Sequence, residues 1–89
     1  VDTMTKDGRT ALHLASEGGH LEIAQLLLDH AAPVDTAAED GWTALHLASR
    51  GGHLEIVQLL IGHAARVEAA TEDGSTALHL AAQGGHLKL

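Results

Sequence analysis

The sequence predicts an all-α fold, a solenoid in which helix-turn-helix units stack side by side and are joined by β-turn loops. Three observations lead to this prediction: the sequence repeats every 33 residues, each repeat holds two short helix-forming segments, and the second segment is apolar over most of its circumference. A short helix with so little polar surface needs neighbours on more than one side, and stacked repeats supply them.

The repeat is found by sliding the sequence along itself. Residues 1–33 and 34–66 are identical at 24 of 33 positions without a gap, and residues 67–89 match 34–56 at 15 of 23. We therefore divide the chain into a first repeat at 1–33, which begins in mid-loop, a second at 34–66 and a partial third at 67–89.

Each repeat contains the same sequence signals for turns and helix ends. An Asp-Gly pair predicts a tight turn, because Gly accepts the positive φ that such turns require. Thr10 follows, and its hydroxyl can cap a first helix that ends at Gly18-Gly19 after about two turns. A second helix is predicted over 21–29. Its polar residues form one narrow stripe: Glu22, Gln25 and Asp29.

Composition and charge argue against several classes of function. The chain has no Cys, which argues against disulfides, a thiolate nucleophile and Cys-ligated zinc. Five basic against twelve acidic side chains give a net charge of −7, which disfavours nucleic acid as a partner. The sequence shows no membrane span and no signal peptide, so we expect a cytoplasmic or nuclear protein. No nucleophile elbow, phosphate loop or cofactor motif is present, so we expect neither an enzyme nor a cofactor.

The period, the turn followed by two short helices, and the Thr-x-Leu-His run resemble the ankyrin repeat. The resemblance is carried by residues 8–15, 19–23 and 26–28 with their counterparts downstream, and it covers essentially the whole chain. It implies an ankyrin-repeat solenoid whose function is to bind a partner protein.

The sequence departs from the ankyrin pattern at three kinds of position. The usual Pro after Thr is Ala, and Pro33 and Arg66 replace a usual loop Asp. The usual Gly after the second helix is also Ala, at Ala31 and Ala64. If the left-handed backbone persists there, each Ala costs on the order of 1 kcal/mol. The Pro replacements are Ala11, Ala44 and Ala77.

Eight His residues fall into three sets of equivalent positions. The resemblance implies that His13, His46 and His79 hydrogen-bond Thr and loop groups and so connect adjacent repeats. It also implies a structural role for the second set, His20, His53 and His86. No HExxH or Cys-His spacing indicates a metal site. The third set, His30 and His63, lies at helix C-termini, where the helix dipole favours imidazolium. These two either make partner binding pH-sensitive or are solvated polar residues.

Most of the candidates for partner binding are at positions that vary between repeats. The resemblance places them along a concave groove: the turn tips Arg9, Trp42 and Ser75, the first-helix ends Glu17, Arg50 and Gln83, the loop residues Glu39 and Glu72, and His30 with His63. Trp42 is expected to be largely exposed and to anchor a partner. The alternatives are that Trp42 packs on its own loop or on Arg9, and that Glu17 and Arg50 pair with each other.

The sequence therefore predicts a non-catalytic protein–protein interaction module that binds through its turn tips and concave helix face. The alternative is a purely architectural or designed segment without a dedicated ligand. Small-anion binding at Arg9 and Trp42 is disfavoured by the net charge. The last repeat is expected to lack the helix that covers Leu78 and Leu80, as in an excerpt of a longer array or a chain trimmed to its ordered part. The chain alone is therefore expected to be weakly stable or to associate through its uncapped ends.

Overall fold

The structure, a computed structural model, describes residues 8–85. This part of the chain holds helices and connecting turns and no strand, which confirms the all-α prediction. The helices run in chain order as α1 Ala11–Gly18, α2 Leu21–Asp29, α3 Ala44–Gly51, α4 Leu54–Gly62 and α5 Ala77–Gln83. The predictions that concern the opening loop, His86 and the residues after it lie outside the described residues.

The first helix of each repeat starts as predicted, at a Thr cap. The Thr10 hydroxyl accepts from the His13 N–H at 3.4 Å, and the Thr10 N–H donates to Nδ1 of the same His at 3.0 Å. Such a reciprocal capping box satisfies two of the donors that a helix start leaves free. Thr43 and Thr76 make the same box with His46 and His79.

The second helices end in a left-handed residue, as expected if the ankyrin backbone persists. After α2, Ala31 has φ 67° and Ala64 has φ 69° after α4. The Ala31 N–H donates to the Leu28 carbonyl and the Ala32 N–H to the Leu27 carbonyl, both at 3.0 Å. This is the Schellman arrangement, in which Gly is preferred because Cβ disfavours positive φ. Two short helices thus terminate through strained Ala residues.

The two Leu side chains of each first helix pack against opposite neighbours in the stack of repeats. At the earlier position, Leu12 and Leu45 are buried, whereas Leu78 is 70% exposed. At the later position, Leu47 and Leu80 are buried and Leu14 is 49% exposed. The earlier position therefore packs on the following repeat and the later one on the preceding repeat. The expectation that Leu80 would be uncovered is wrong, because it faces α3; for Leu78 the expectation is confirmed.

The second helices differ in how far they are buried. In α4, Ile56, Val57 and Leu60 are all buried, as the apolar circumference predicts. The equivalent helix α2 buries Ala24 and Leu28, but Ile23 and Leu26 are more than half exposed. The prediction that the second helix is buried on several sides is therefore wrong for α2, because Ile23 and Leu26 lie on the face that turns away from the second repeat.

Buried His side chains connect the repeats in the predicted way. The Nε2–H of His13 donates to the Trp42 carbonyl at 2.8 Å, and that of His46 donates to the Ala69 carbonyl at 2.9 Å. Because Nδ1 accepts from the backbone N–H of the capping Thr, the hydrogen of the ring lies on Nε2. Each ring thereby joins its own helix cap to the loop of the next repeat.

Candidate partner-binding surface

The turn tips are held in place by backbone geometry. Gly41 has φ 81°, and a Cβ there would lie 2.9 Å from the backbone nitrogen of Glu72 in the next loop. The two loops are also hydrogen-bonded, since the Glu72 N–H donates to the Asp40 carbonyl at 2.9 Å. Only Gly combines the required φ with this close approach. The tips of the second and third repeats are therefore fixed relative to each other.

Trp42 lies on the turn of the second repeat. Its side chain is half-buried, so the expectation of a largely exposed ring is wrong. The Arg50 guanidinium carbon lies 4.7 Å from the ring centroid. The ring also tilts by 59° against the His46 imidazole, with centroids 5.8 Å apart. A cation over the face of an indole is a favourable arrangement. Trp42 therefore stacks with Arg50 at the end of α3.

Glu17 links the first repeat to this stack. Its carboxylate accepts from Arg50 at 3.1 Å and from Arg9 at 3.4 Å. The pairing of Glu17 with Arg50 across repeats is thus observed. Its backbone is held as well, because Nε2–H of His53 donates to the Glu17 carbonyl at 3.1 Å. We call Arg9, Glu17, Trp42 and Arg50 the Arg–Trp cluster.

The remaining tip residues are two acidic side chains and Ser75. Glu39 and Glu72 are exposed, and Ser75 is half-buried. The Ser75 N–H donates to Thr71 Oγ1 at 3.2 Å and to Asp73 Oδ1 at 3.3 Å. Hydrogen bonds from the Thr71 hydroxyl, and then from Ser75, keep the pKa of Asp73 below its ordinary value. This carboxylate therefore stays ionised at neutral pH.

The other candidates lie at helix ends. His30 and His63 are the C-cap residues of α2 and α4, and both are exposed. His30 turns back on its own helix, where its Nδ1 lies 2.9 Å from the Leu26 carbonyl. Gln83 is exposed in the last turn of α5. The Arg–Trp cluster is thus the part of the predicted surface that the fold draws into mutual contact.

Sequence reasoning missed two Asp residues that shape the loops. Asp40 Oδ1 accepts from the Trp42 N–H at 3.1 Å, and Asp35 Oδ1 accepts from the Arg66 N–H at 3.0 Å. The first bond joins residues two positions apart, the spacing of an Asx turn, so the Asp-Gly-Trp sequence contained that signal. The second bond connects successive loops, and no local spacing indicates it.

In residues 8–85 no three His, Cys, Asp or Glu side chains come together as a metal site would require. Over the same residues no helix has the length and apolar content to cross a bilayer.

The fold and the surface define a helical repeat protein whose variable side chains project from a constant frame. A family model for ankyrin repeats, in three copies, matches the chain over residues 1–70 and again over 32–89. The chain belongs to the ankyrin-repeat family. Ankyrin repeats are in general protein–protein interaction modules and are in general not catalytic. A comparison with curated proteins gives no match.

Proposed function

We propose that this chain is a scaffold that binds a partner protein through its turn tips and concave helix face, with the Arg–Trp cluster at the centre of the contact. The observation that carries the proposal is that side chains at positions which vary between repeats contact one another. Arg9 and Trp42 occupy one varying position and Glu17 and Arg50 another, and all four side chains contact one another in a chain across two repeats. Trp and Arg are the residues that most often supply binding energy at protein interfaces.

The cluster suits a binding role because its side chains are already ordered. Arg50 is held between Glu17 and the Trp42 ring, with its side chain about half exposed. Ordering a flexible side chain on binding costs about 0.5–1.5 kcal/mol, and this loss is smaller when the free protein holds the side chain in place. The cluster therefore offers a partner a cation and an aromatic ring in a fixed arrangement.

Charge supports a cationic partner. The tips carry Glu39, Asp40, Glu72 and Asp73, all exposed, on a chain with a net charge of −7. A field of one sign accelerates association with an oppositely charged surface, and salt screens it over about 8–10 Å. We therefore expect the partner to present basic side chains around the contact with Trp42, and its association rate to fall as salt rises.

The test compares three forms of the chain: wild type, Trp42→Ala and the control Arg66→Gln, whose side chain is exposed and is not one of the four cluster residues. Proteins retained by wild type and control but not by Trp42→Ala are identified, and each is titrated against the chain. Trp42 is the single Trp, so its emission reports the contact directly. We expect Trp42→Ala to weaken binding by about 2 kcal/mol, roughly thirtyfold, as at an interface hot spot.

The second candidate is an architectural segment, and the internal pairing of the cluster favours it. Side chains that satisfy one another also stiffen the contact between two repeats without any ligand. Under this alternative, Trp42→Ala lowers the stability of the chain, while every retained protein binds wild type and variant equally. That outcome refutes the recognition proposal, provided that circular dichroism shows the helices of Trp42→Ala intact.

A further inference from the structure

The Glu17 carboxylate is held between two guanidinium groups that come from successive repeats. Its Oε1 accepts from Nη1 of Arg9 at 3.4 Å, and its Oε2 accepts from Nη2 of Arg50 at 3.1 Å. Residues 8–85, which the structure describes, contain three Arg and no Lys, so two of their three Arg side chains converge on this one carboxylate. Positive charge is therefore concentrated at this point of an acidic chain.

The position of Glu17 does not suit its own helix. Glu17 lies in the last turn of α1, where the carbonyl end of a helix disfavours negative charge, whereas Arg50 at the equivalent position of α3 has the favoured sign. The Glu17 side chain is 42% exposed, and exposed ion pairs contribute little to stability. The carboxylate can therefore turn away from the two Arg side chains into solvent at little cost.

Arg50 is also positioned by a contact that does not involve this carboxylate. Its guanidinium carbon lies 4.7 Å from the centroid of the Trp42 ring. The turn that carries the ring is fixed in its turn, because the Trp42 N–H donates to Asp40 Oδ1 at 3.1 Å. The planar fork of donors on a guanidinium matches the oxygens of a carboxylate. When Glu17 turns away, Arg9 and Arg50 therefore offer a site for another carboxylate.

We propose that Arg9 and Arg50 form a carboxylate-binding site within the partner-binding surface, and that Glu17 occupies it in the unbound chain in place of a carboxylate of the partner protein. This inference rests on the proposed function and names the group that the partner presents. The contacts of Glu17 define the ligand as one carboxylate whose two oxygens accept from two different guanidinium groups. An acidic side chain and a C-terminal carboxylate share this chemistry.

The charge around the site determines what kind of segment carries the carboxylate. Four exposed acidic residues lie on the turn tips: Glu39, Asp40, Glu72 and Asp73. They repel a free small anion, in agreement with the expectation from the net charge of −7. Basic residues on both sides of the partner's carboxylate remove this obstacle, because they are attracted to the acidic tips. The occupant is therefore a segment with one acidic group among basic residues.

The probes are three fluorescein-labelled peptides, whose binding to the full chain is measured by anisotropy. The first is Lys-Lys-Ala-Glu-Ala-Lys-Lys with an amidated C-terminus, and the second has Gln in place of Glu. The third is Lys-Lys-Lys-Lys-Ala with a free C-terminal carboxylate. We expect at least one carboxylate peptide to bind more tightly than the Gln peptide. Whether it is the first or the third identifies the source of the carboxylate as a side chain or a chain end.

Two variants with the same change of charge separate the site from the general field. Glu17→Gln and Glu55→Gln each remove one negative charge, but Glu55 is exposed in the first turn of α4 and is not one of the four cluster residues. We expect Glu17→Gln to bind the preferred carboxylate peptide about tenfold more tightly than wild type, because the competing carboxylate is gone. Glu55→Gln should resemble wild type, and adding Arg50→Gln to Glu17→Gln should remove the gain.

The proposal is overturned if no carboxylate peptide saturates with Glu17→Gln, or if Glu17→Gln binds these peptides more weakly than wild type does. It is also overturned if Glu17→Gln and Glu55→Gln strengthen binding equally, or if Glu17→Gln binds the Gln peptide as tightly as the carboxylate peptides. Circular dichroism checks that every variant keeps its helices.

Failure of this proposal is distinguishable from failure of the proposed function. If Trp42→Ala loses the retained partner proteins while Glu17→Gln does not discriminate between the Glu and Gln peptides, the carboxylate site alone is refuted. If Trp42→Ala retains every partner protein while Glu17→Gln gains affinity for a carboxylate peptide, the proposed function alone is refuted.

Discussion

The Arg50 guanidinium lies over the Trp42 ring, 4.7 Å from its centroid, while Nη2 of the same Arg is 3.1 Å from Glu17 in the preceding repeat. One side chain thus contacts a turn tip and the end of the previous repeat's first helix. The orientation of the Trp42 ring is consequently coupled to the stacking of the first two repeats.

Replacing this Arg should therefore change both the stability of the chain and the environment of the ring. Arg50→Gln removes the cation from the Trp42 face, worth about 0.5–1 kcal/mol at an exposed site, and an exposed ion pair worth about 0–1 kcal/mol. We expect the free energy of unfolding to fall by about 1 kcal/mol and the Trp42 emission to shift to longer wavelength. Urea denaturation and fluorescence measure these changes. Arg66→Gln serves as the control, and an unchanged emission in Arg50→Gln would contradict the stacked pair.

The His residues that cap the first helices allow a comparison between equivalent positions. His46 is buried and bonds both its own cap and the Ala69 carbonyl, whereas His79 is exposed and bonds its own cap. His46→Ala removes the bridge to the next loop and opens a cavity, so we expect a loss of about 2–4 kcal/mol. His79→Ala should cost about 1 kcal/mol, the typical worth of a cap. Equal losses in thermal denaturation would show that the connection between repeats contributes little.

A second matched pair measures how tightly adjacent loops approach. Gly41 and Gly74 both have positive φ, 81° and 86°, but only at Gly41 would a Cβ meet the next loop. We expect Gly74→Ala to cost about 1–2 kcal/mol from backbone strain alone. Gly41→Ala should cost about 1–3 kcal/mol more, as forced overpacking does. The free energies of unfolding of the two variants test this, and similar values would argue against close contact between the loops.

The left-handed Ala residues predict a gain in stability. Ala31→Gly and Ala64→Gly relieve a conformation that costs about 1–2 kcal/mol. Against this, Gly gives the unfolded chain more conformational entropy, which lowers the stability by about 0.4–1 kcal/mol. The balance is a net stabilisation of about 0.5–1 kcal/mol at each site. Ala32→Gly is the control, because Ala32 is buried and lies outside the positive-φ residues, so it should destabilise. A lower melting temperature in Ala31→Gly would show that the strain is absent.

Local structure was predictable from the sequence because its causes are local. The Thr caps, the Asp-Gly turns and the bounds of α2 follow from residues within a few positions of each other, and the structure agrees with them. The ankyrin resemblance implied the roles of His13 and His46. It implied left-handed Ala31 and Ala64 only if the family's backbone persists there, and the positive φ of both residues shows that it does.

The candidate site was predictable only in part. Its residues were found from variation between repeats, but the stacking of Arg50 on Trp42 depends on how a turn folds back against the end of a helix. Likewise, periodicity indicates which face of a helix is apolar and does not say on which side a neighbour lies. For this reason Leu80 was expected to be open and Ile23 to be covered, and both expectations were wrong.

Helix α3 differs from its counterparts in having a packed repeat on either flank: six of its eight residues are buried, against four in α1 and two in α5. In a linear array, each unit gains its cohesion from the units beside it. Thermal fraying should therefore begin at α1 and α5 and reach α3 last, with amide exchange slowest there. Arg50 extends from this most persistent helix, so the cation at the centre of the proposed contact is anchored in the segment that melts last.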